Sequence, residues 1–200
     1  MQTPRLVIGL DTDSRGFHWV SNSAIRDGRA GGAPPQKVGH IMIKGDIDTR
    51  RVLTYMGARD LFRVLPPVET HIFCEEPLAL QNGKTTRVLG IQAGIIWAGF
   101  IEGVDDDHVP RYWYWVDVAH WKKEVCGKGN INKDDIRMFC RTNPGWLNLS
   151  RERPGHHDDP TLYPASFTYD TLFEDNLNLY DAWCLMVYGV RQLTGHEDRG

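Results

Sequence analysis

The sequence has no Cys-x-x-Cys pair, and its four cysteines (Cys74, Cys126, Cys140, Cys184) are scattered through 200 residues. That pattern reads as reduced thiols in a cytoplasmic protein rather than a disulfide framework. Long apolar runs are missing as well. The longest, Ala93–Ile101, is nine residues broken by glycines, too short to span a bilayer. The apolar run Leu6–Leu10 is short and ends at Asp11, which argues against a secretory signal. There is no strong charge of one sign. The net charge of −3 provides no global basic field for a nucleic-acid partner. Internal repeats and low-complexity tracts are absent too. What is there is the composition of a soluble globular protein, 41% hydrophobic and 24% charged. A chain of this length buries roughly 70% of its unfolded surface and needs no staple to fold.

The average charge hides an asymmetry. From Val118 to Arg141, six cations (Lys122, Lys123, Lys128, Lys133, Arg137, Arg141) face three acids. Acids crowd instead at Asp105–Asp107, Asp158-Asp159 and Glu174-Asp175. Such runs are equally compatible with a solvated surface.

The order of elements reads as strands first, then alternation. Leu6–Leu10 suits a buried strand, with Phe17–Ser21 as its hairpin partner across the turn residues Asp13–Gly16. Val38–Lys44 offers a third strand, and Asp46 or Asp48 caps a helix running to about Val64, stopped by Pro66-Pro67. A strand is expected at His71–Glu75, a helix at Lys84–Gly103 and an aromatic strand at Arg111–Asp117. Short helices follow at about 118–125 and 132–142, then a long insertion loop at about 143–173 and a final helix at Leu177–Leu193. The expected fold is α/β: a mixed five-stranded sheet, three antiparallel strands then two parallel, flanked by helices. Residues 1–194 form a single domain and 195–200 a flexible tail.

Three carboxylates stand out. Asp11 directly follows a buried strand, where a charge is expensive unless it is paired or bound to a metal. Alternation puts His71, Phe73 and Glu75 on one face, placing a second carboxylate at a strand end. In the last helix Leu177, Asp181, Cys184, Leu185 and Tyr188 share one face, so Asp181 points inward, with Asn178 a turn earlier. Oxygen ligands gathered at one edge of a core suit Mg²⁺ or Mn²⁺. The same spacing also fits Asp11 and Asp181 pairing with basic side chains or capping backbone, and spacing alone leaves both readings open.

Four motifs in order carry a resemblance. Ile8-Gly9-Leu10-Asp11 is similar to the first-strand motif of the RuvC family of Holliday-junction resolvases, in the ribonuclease H-like superfamily. Ile72–Glu76 and the following Leu89-Gly90-Ile91-Gln92-Ala93-Gly94 resemble that family's strand glutamate and next helix. Trp121–Lys133 resembles its lysine, Val-x-Gly-x-Gly turn and second lysine eleven residues on. Leu179-Tyr180-Asp181-Ala182 resembles its terminal helix motif. The match suggests a bacteriophage-type member.

The resemblance implies a ribonuclease H-like fold and a metal-dependent endodeoxyribonuclease. Such an enzyme resolves four-way DNA junctions by paired phosphodiester hydrolysis in recombination and replication. It implies a homodimer, since a junction has two symmetric strands to cut, and the cytoplasm, that of a bacterial host for a phage-encoded member. Two Mg²⁺ ions per site are implied, with Mn²⁺ as substitute, held by Asp11, Glu75 and Asp181. The family's fourth ligand falls at Asn178, whose neutral amide ligates Mg²⁺ less strongly. Lys122 and Lys133 match the family's lysines at the phosphate, and Lys123, Lys128 and Arg137 extend the DNA-binding face. The family's stacking aromatic falls at Leu78, a departure that weakens strand opening unless another ring, Trp146 for example, substitutes.

Weaker signals remain. Glu76 competes with Glu75 if a bulge exchanges their faces, and Asp13 either assists Asp11 or builds the turn. His156-His157-Asp158-Asp159 is a solvated loop cluster or a metal site. Gly90-x-x-x-Gly94 is more often close packing than a dimer seam. The competing functions are a broader branched-DNA or flap nuclease and a non-catalytic junction-binding protein. A sugar kinase-like ATPase, faintly resembled by Gly9–Asp13, normally needs about twice this length.

Overall fold

The computed structural model describes residues 5–22, 37–65, 68–77, 83–103, 109–143 and 169–195. Five strands, β1 (Arg5–Asp13), β2 (Gly16–Ser21), β3 (Lys37–Met42), β4 (Glu69–Glu75) and β5 (Arg111–Val116), form one sheet in the order β3-β2-β1-β4-β5. β1 to β3 pair antiparallel, and β4 and β5 continue parallel from β1. This is the mixed sheet expected from the sequence. The helices are α1 (Ile47–Arg63), α2 (Gly83–Gly103), α3 (Val118–Cys126), α4 (Lys133–Thr142), α5 (Tyr169–Asp175) and α6 (Asn178–Gly195). None of the helices among the described residues is long and apolar enough to cross a membrane.

Local chemistry sets the boundaries. Asp46 caps α1, accepting from the backbone N–H of Asp48 at 3.0 Å and of Thr49 at 2.9 Å. Asp117 and Asn132 do the same for α3 and α4. Gly127 ends α3 with φ of 83°, a left-handed conformation that glycine adopts without steric cost.

β1 is buried on both faces, which is why its sequence is a continuous apolar run rather than an alternation. Leu6, Ile8 and Leu10 join Phe17, Ile72 and Cys74 under Ala58 and Phe62 of α1 and Ile96 and Phe100 of α2. Val7, with Val20 and Phe73, faces the opposite way, into a core built by α6 with Trp121, Ile136 and Phe173 from α3, α4 and α5. Gly9 and Asp11 share that second face by alternation.

Gly9 is what lets α6 settle there. A Cβ on Gly9 would lie 2.0 Å from the Ala182 carbonyl oxygen and 2.3 Å from the Met186 nitrogen, so helix backbone rests on strand backbone. Gly189, two turns on, admits the Phe73 ring in the same way.

Several expectations shift. β1 runs on to Asp13 because the hairpin ladder continues to a two-residue turn at Ser14-Arg15, so Asp11 lies within the strand rather than after it. Leu177 is exposed, since α6 begins one residue later. The loop expected to reach residue 173 ends earlier, because α5 starts at Tyr169 and buries Leu172 and Phe173. Gly195, expected to open the tail, is the last residue of α6, while residues 196–200, most of that insertion, Pro66-Pro67, Leu78, Trp146, Asp105–Asp107 and the His156–Asp159 cluster lie outside the described residues.

The glycines give a paired prediction. Gly9→Ala should lower the urea midpoint sharply, by 3 kcal/mol or more (about the cost of a severe core clash), or prevent folding. Gly94→Ala, where an added Cβ meets nothing within 4 Å on an exposed helix face, should stabilise by about 0.5–1 kcal/mol. Equal effects from the two would show that α6 does not rest on β1 as described.

Candidate active site

Three acids gather where β1, β4 and α6 meet. Asp11 is two residues past Gly9, and Asp181 precedes Ala182, whose carbonyl lies over Gly9. Glu75 follows Cys74, and Cys74 is the parallel partner of Leu10, so Asp11 and Glu75 end up side by side on the α6 face. Glu76 has left the strand and is exposed, which leaves Glu75 as the carboxylate turned to the cluster.

The electrostatics follow from burial and mutual repulsion. Asp11 and Asp181 are buried, and burial is the largest cause raising both carboxyls above their usual range. The charges of Glu75 and then Asp181 push Asp11 further up. Glu75 is raised to about 7, first by burial and then by Asp181, against the opposing pull of Lys122, Trp121 and Lys133.

Two lysines offset the cluster. Lys133 opens α4, where the positive end of the helix dipole disfavours a cation. It is held there by α6: its ammonium donates to Asn178 Oδ1 and lies 3.4 Å from Asp181 Oδ2. Lys122 lies over the Trp121 ring, 5.5 Å from its centre, and acts electrostatically on Glu75 and Asp181. The Gly127–Gly129 turn between α3 and α4 thus brings both expected lysines to the acids.

Asn178 uses both ends of its amide, accepting from Lys133 and donating to Asp13 Oδ2 at 3.4 Å. To ligate a metal it would have to release Lys133. Asp13 builds the hairpin turn, accepting from the Arg15 N–H at 2.9 Å.

Other expected DNA contacts are not gathered here. Arg137 forms a two-point ion pair with Glu174, 2.9 Å from Nε to Oε1 and 2.7 Å from Nη2 to Oε2. Its guanidinium therefore ties α4 to α5, a partner hidden from sequence because Glu174 is 37 residues away. Lys123 and Lys128 are exposed.

One site residue was not foreseen. His18 is the direct antiparallel partner of Asp11, and His40 in turn partners His18. The four side chains Glu75, Asp11, His18 and His40 thus form a row across the sheet. Burial first, then His40, lowers His18 to about 4, so its imidazole is neutral. The two-residue turn fixes this pairing, and counting outward from it would have found His18 in the sequence.

Among the described residues, no three His, Cys, Asp or Glu side chains form a ready-made metal cluster. The donor set nevertheless fits a divalent cation. Its acids repel one another in a buried setting, and Asp181 Oδ1 is buried with no hydrogen-bond partner among the described residues. Oxygen donors of this kind suit Mg²⁺ or Mn²⁺.

Sheet order and the helix laid across β1 define the class of architecture, the ribonuclease H-like fold. Within that class the fold is RuvC-like. The chain is similar to a Thermus thermophilus RuvC structure at 14% identity and a TM-score of 0.55, over 95% of this chain and 96% of that one. It is similar to T. thermophilus RuvC in complex with Holliday junction substrate at 17% identity and a TM-score of 0.56, over 94% and 96%. No family model matches the chain. No curated protein matches its sequence.

A stability prediction follows from Glu75. Its folded pKa of about 7 exceeds its ordinary 4.5, so the folded state binds this proton more tightly than the unfolded state. The resulting stability is fully present below the unfolded value and is lost as pH rises through about 7. In chelator at about pH 8, Glu75→Gln should therefore raise Tm by roughly 4 °C. Adding Mg²⁺ should raise Tm for the wild type more than for the variant. A variant less stable than wild type in chelator would mean that Glu75 is held by a compensating partner.

Proposed function

We propose that this chain is a divalent-metal-dependent endonuclease that cuts branched DNA, with the four-way junction as its preferred substrate. The observation carrying this reading is the cluster of Asp11, Glu75 and Asp181 with Lys133 and Lys122 on a RuvC-like fold. The structural likeness to RuvC in complex with Holliday junction substrate supports the choice of DNA.

Asp11, Glu75 and Asp181 would hold Mg²⁺, with Mn²⁺ as a substitute. Such ions, when bound, supply an activated water and charge relief on the leaving oxygen. The protein's own residues do the rest. Burial keeps bulk water from screening the carboxylates, so they favour any cation strongly. Lys133, which rests against Asp181, would be free to meet a phosphate oxygen if the acids held metal. Lys122, steadied by the Trp121 ring, adds a second cation, and the Gly127–Gly129 turn allows backbone to approach a phosphate closely. Paired cutting of a symmetric junction calls for two copies, so the working unit is a homodimer.

A non-catalytic junction binder is the second reading. It is favoured by Lys133 already neutralising Asp181 and by the neutral Asn178 at the fourth ligand position.

The test is cleavage of four-way, three-way, flap and linear DNA with Mg²⁺ or Mn²⁺. The nuclease should cut the four-way junction best, and Asp11→Asn should abolish cutting while junction binding survives. Lys133→Ala should lower the single-turnover rate at saturating protein about 10²-fold, as for loss of one electrostatic catalytic contact. A binder leaves every DNA intact. An unchanged saturated rate for Lys133→Ala would limit this lysine to phosphate neutralisation, seen as a salt slope smaller by about 1.

A further inference from the structure

Buried histidines in this protein are of two kinds. His71 is 4% exposed and fully satisfied, with Nε2 2.7 Å from Glu69 Oε1 and Nδ1 3.1 Å from the Tyr114 hydroxyl. His18 is 3% exposed, yet neither ring nitrogen has a hydrogen-bond partner among the described residues. A neutral imidazole carries one donor and one acceptor, and leaving both unmet in a buried setting costs free energy. A group left in that state calls for a partner that the other described residues do not supply.

Its location indicates which partner. Directly opposed residues of an antiparallel pair share a face, with Cβ atoms about 4.5–5.5 Å apart. His18 is so placed beside Asp11, on the face covered by α6. It also feels the charges of Asp13 and Lys133, and Lys133 is the lysine that contacts Asp181. An unpartnered imidazole therefore stands across the hairpin from Asp11, one of the three acids, and another of them, Asp181, also carries an unpartnered oxygen.

Resting on the reading of the carboxylates as a cation site, we infer that His18 is a further metal ligand of this centre. It sits across the β1–β2 hairpin from Asp11 and tunes the site toward a transition ion such as Mn²⁺ over Mg²⁺. Imidazole suits Zn²⁺ and related transition ions, whereas Mg²⁺ keeps to oxygen and water. The described side chains do not stand preassembled around one point, so holding an ion would require them to move together.

Two measurements on the full chain test this. Calorimetric titration compares Mn²⁺ and Mg²⁺ binding to wild type and His18→Ala. Separately, ¹⁵N imidazole spectra of the wild-type protein are recorded with Zn²⁺, the His18 signal being assigned by its absence in His18→Gln. The expected result is at least tenfold weaker Mn²⁺ binding in His18→Ala with Mg²⁺ binding little changed, and a His18 nitrogen shifted on Zn²⁺ addition. If both ions weaken equally, or neither changes and the nitrogen does not move, His18 holds only packing or a buried water and the inference falls. Should His18→Ala fail to fold, the wild-type spectra decide alone. A wild-type protein that binds none of these ions overturns the metal reading and this inference with it. One that binds them with His18 uninvolved overturns the inference alone.

Discussion

Everything in the site depends on one close approach, the backbone of α6 against the backbone of β1 at Gly9. A helix normally stands off a sheet by the thickness of its side chains. Here the missing Cβ lets the Ala182 carbonyl and the Met186 nitrogen descend onto the strand. That descent brings Asp181 down to the level of Asp11 and Glu75. It also buries α6 on nearly all sides, so Trp183 and Tyr180 are core residues along with the apolar stripe. With a side chain at Gly9 the helix would stand farther off and carry Asp181 away from Asp11 and Glu75, which the strand register keeps side by side.

The acids are costly because of that proximity. Burial and like charge act in the same direction on Asp11 and on Glu75, and the protein offsets only part of the strain. Lys133 supplies the closest positive charge from an unfavourable place, the first turn of a helix, and Asn178 and Asp181 hold it there. An arrangement that opposes both helix dipole and desolvation is poor design for stability alone. It is the kind of local conflict that accompanies chemistry.

How much of this could be read from the sequence depended on how local each signal was. Strand alternation over His71–Glu75 places Glu75, and helix spacing around Asp181 turns it inward, because both periods repeat within a few residues. The Gly127–Gly129 turn ties Lys122 to Lys133 for the same reason. α5 escaped because seven residues hold barely two turns, too few for periodicity to stand out. The Arg137–Glu174 pair could not be read from the sequence because Glu174 is distant in the chain and belongs to that unforeseen helix. His18 needed the strand register as well as the strand pattern. Asp11 was misjudged by position only, the hairpin ladder carrying β1 two residues beyond it.

The ion pairs between α4 and α5 have a consequence for the long connection between them. Arg141, in the last turn of α4, reaches Asp170 at 3.2 Å and Glu174 at 2.9 Å, and Tyr180 on α6 donates to Glu174 at 2.6 Å. The chain thus leaves and returns through two points stapled together by the same guanidinium. Once both ends are fixed, the entropy of closing the intervening segment rises only with the logarithm of its length, about 0.6 kcal/mol per doubling. Arg141 therefore holds the two ends together whatever the length of sequence between them.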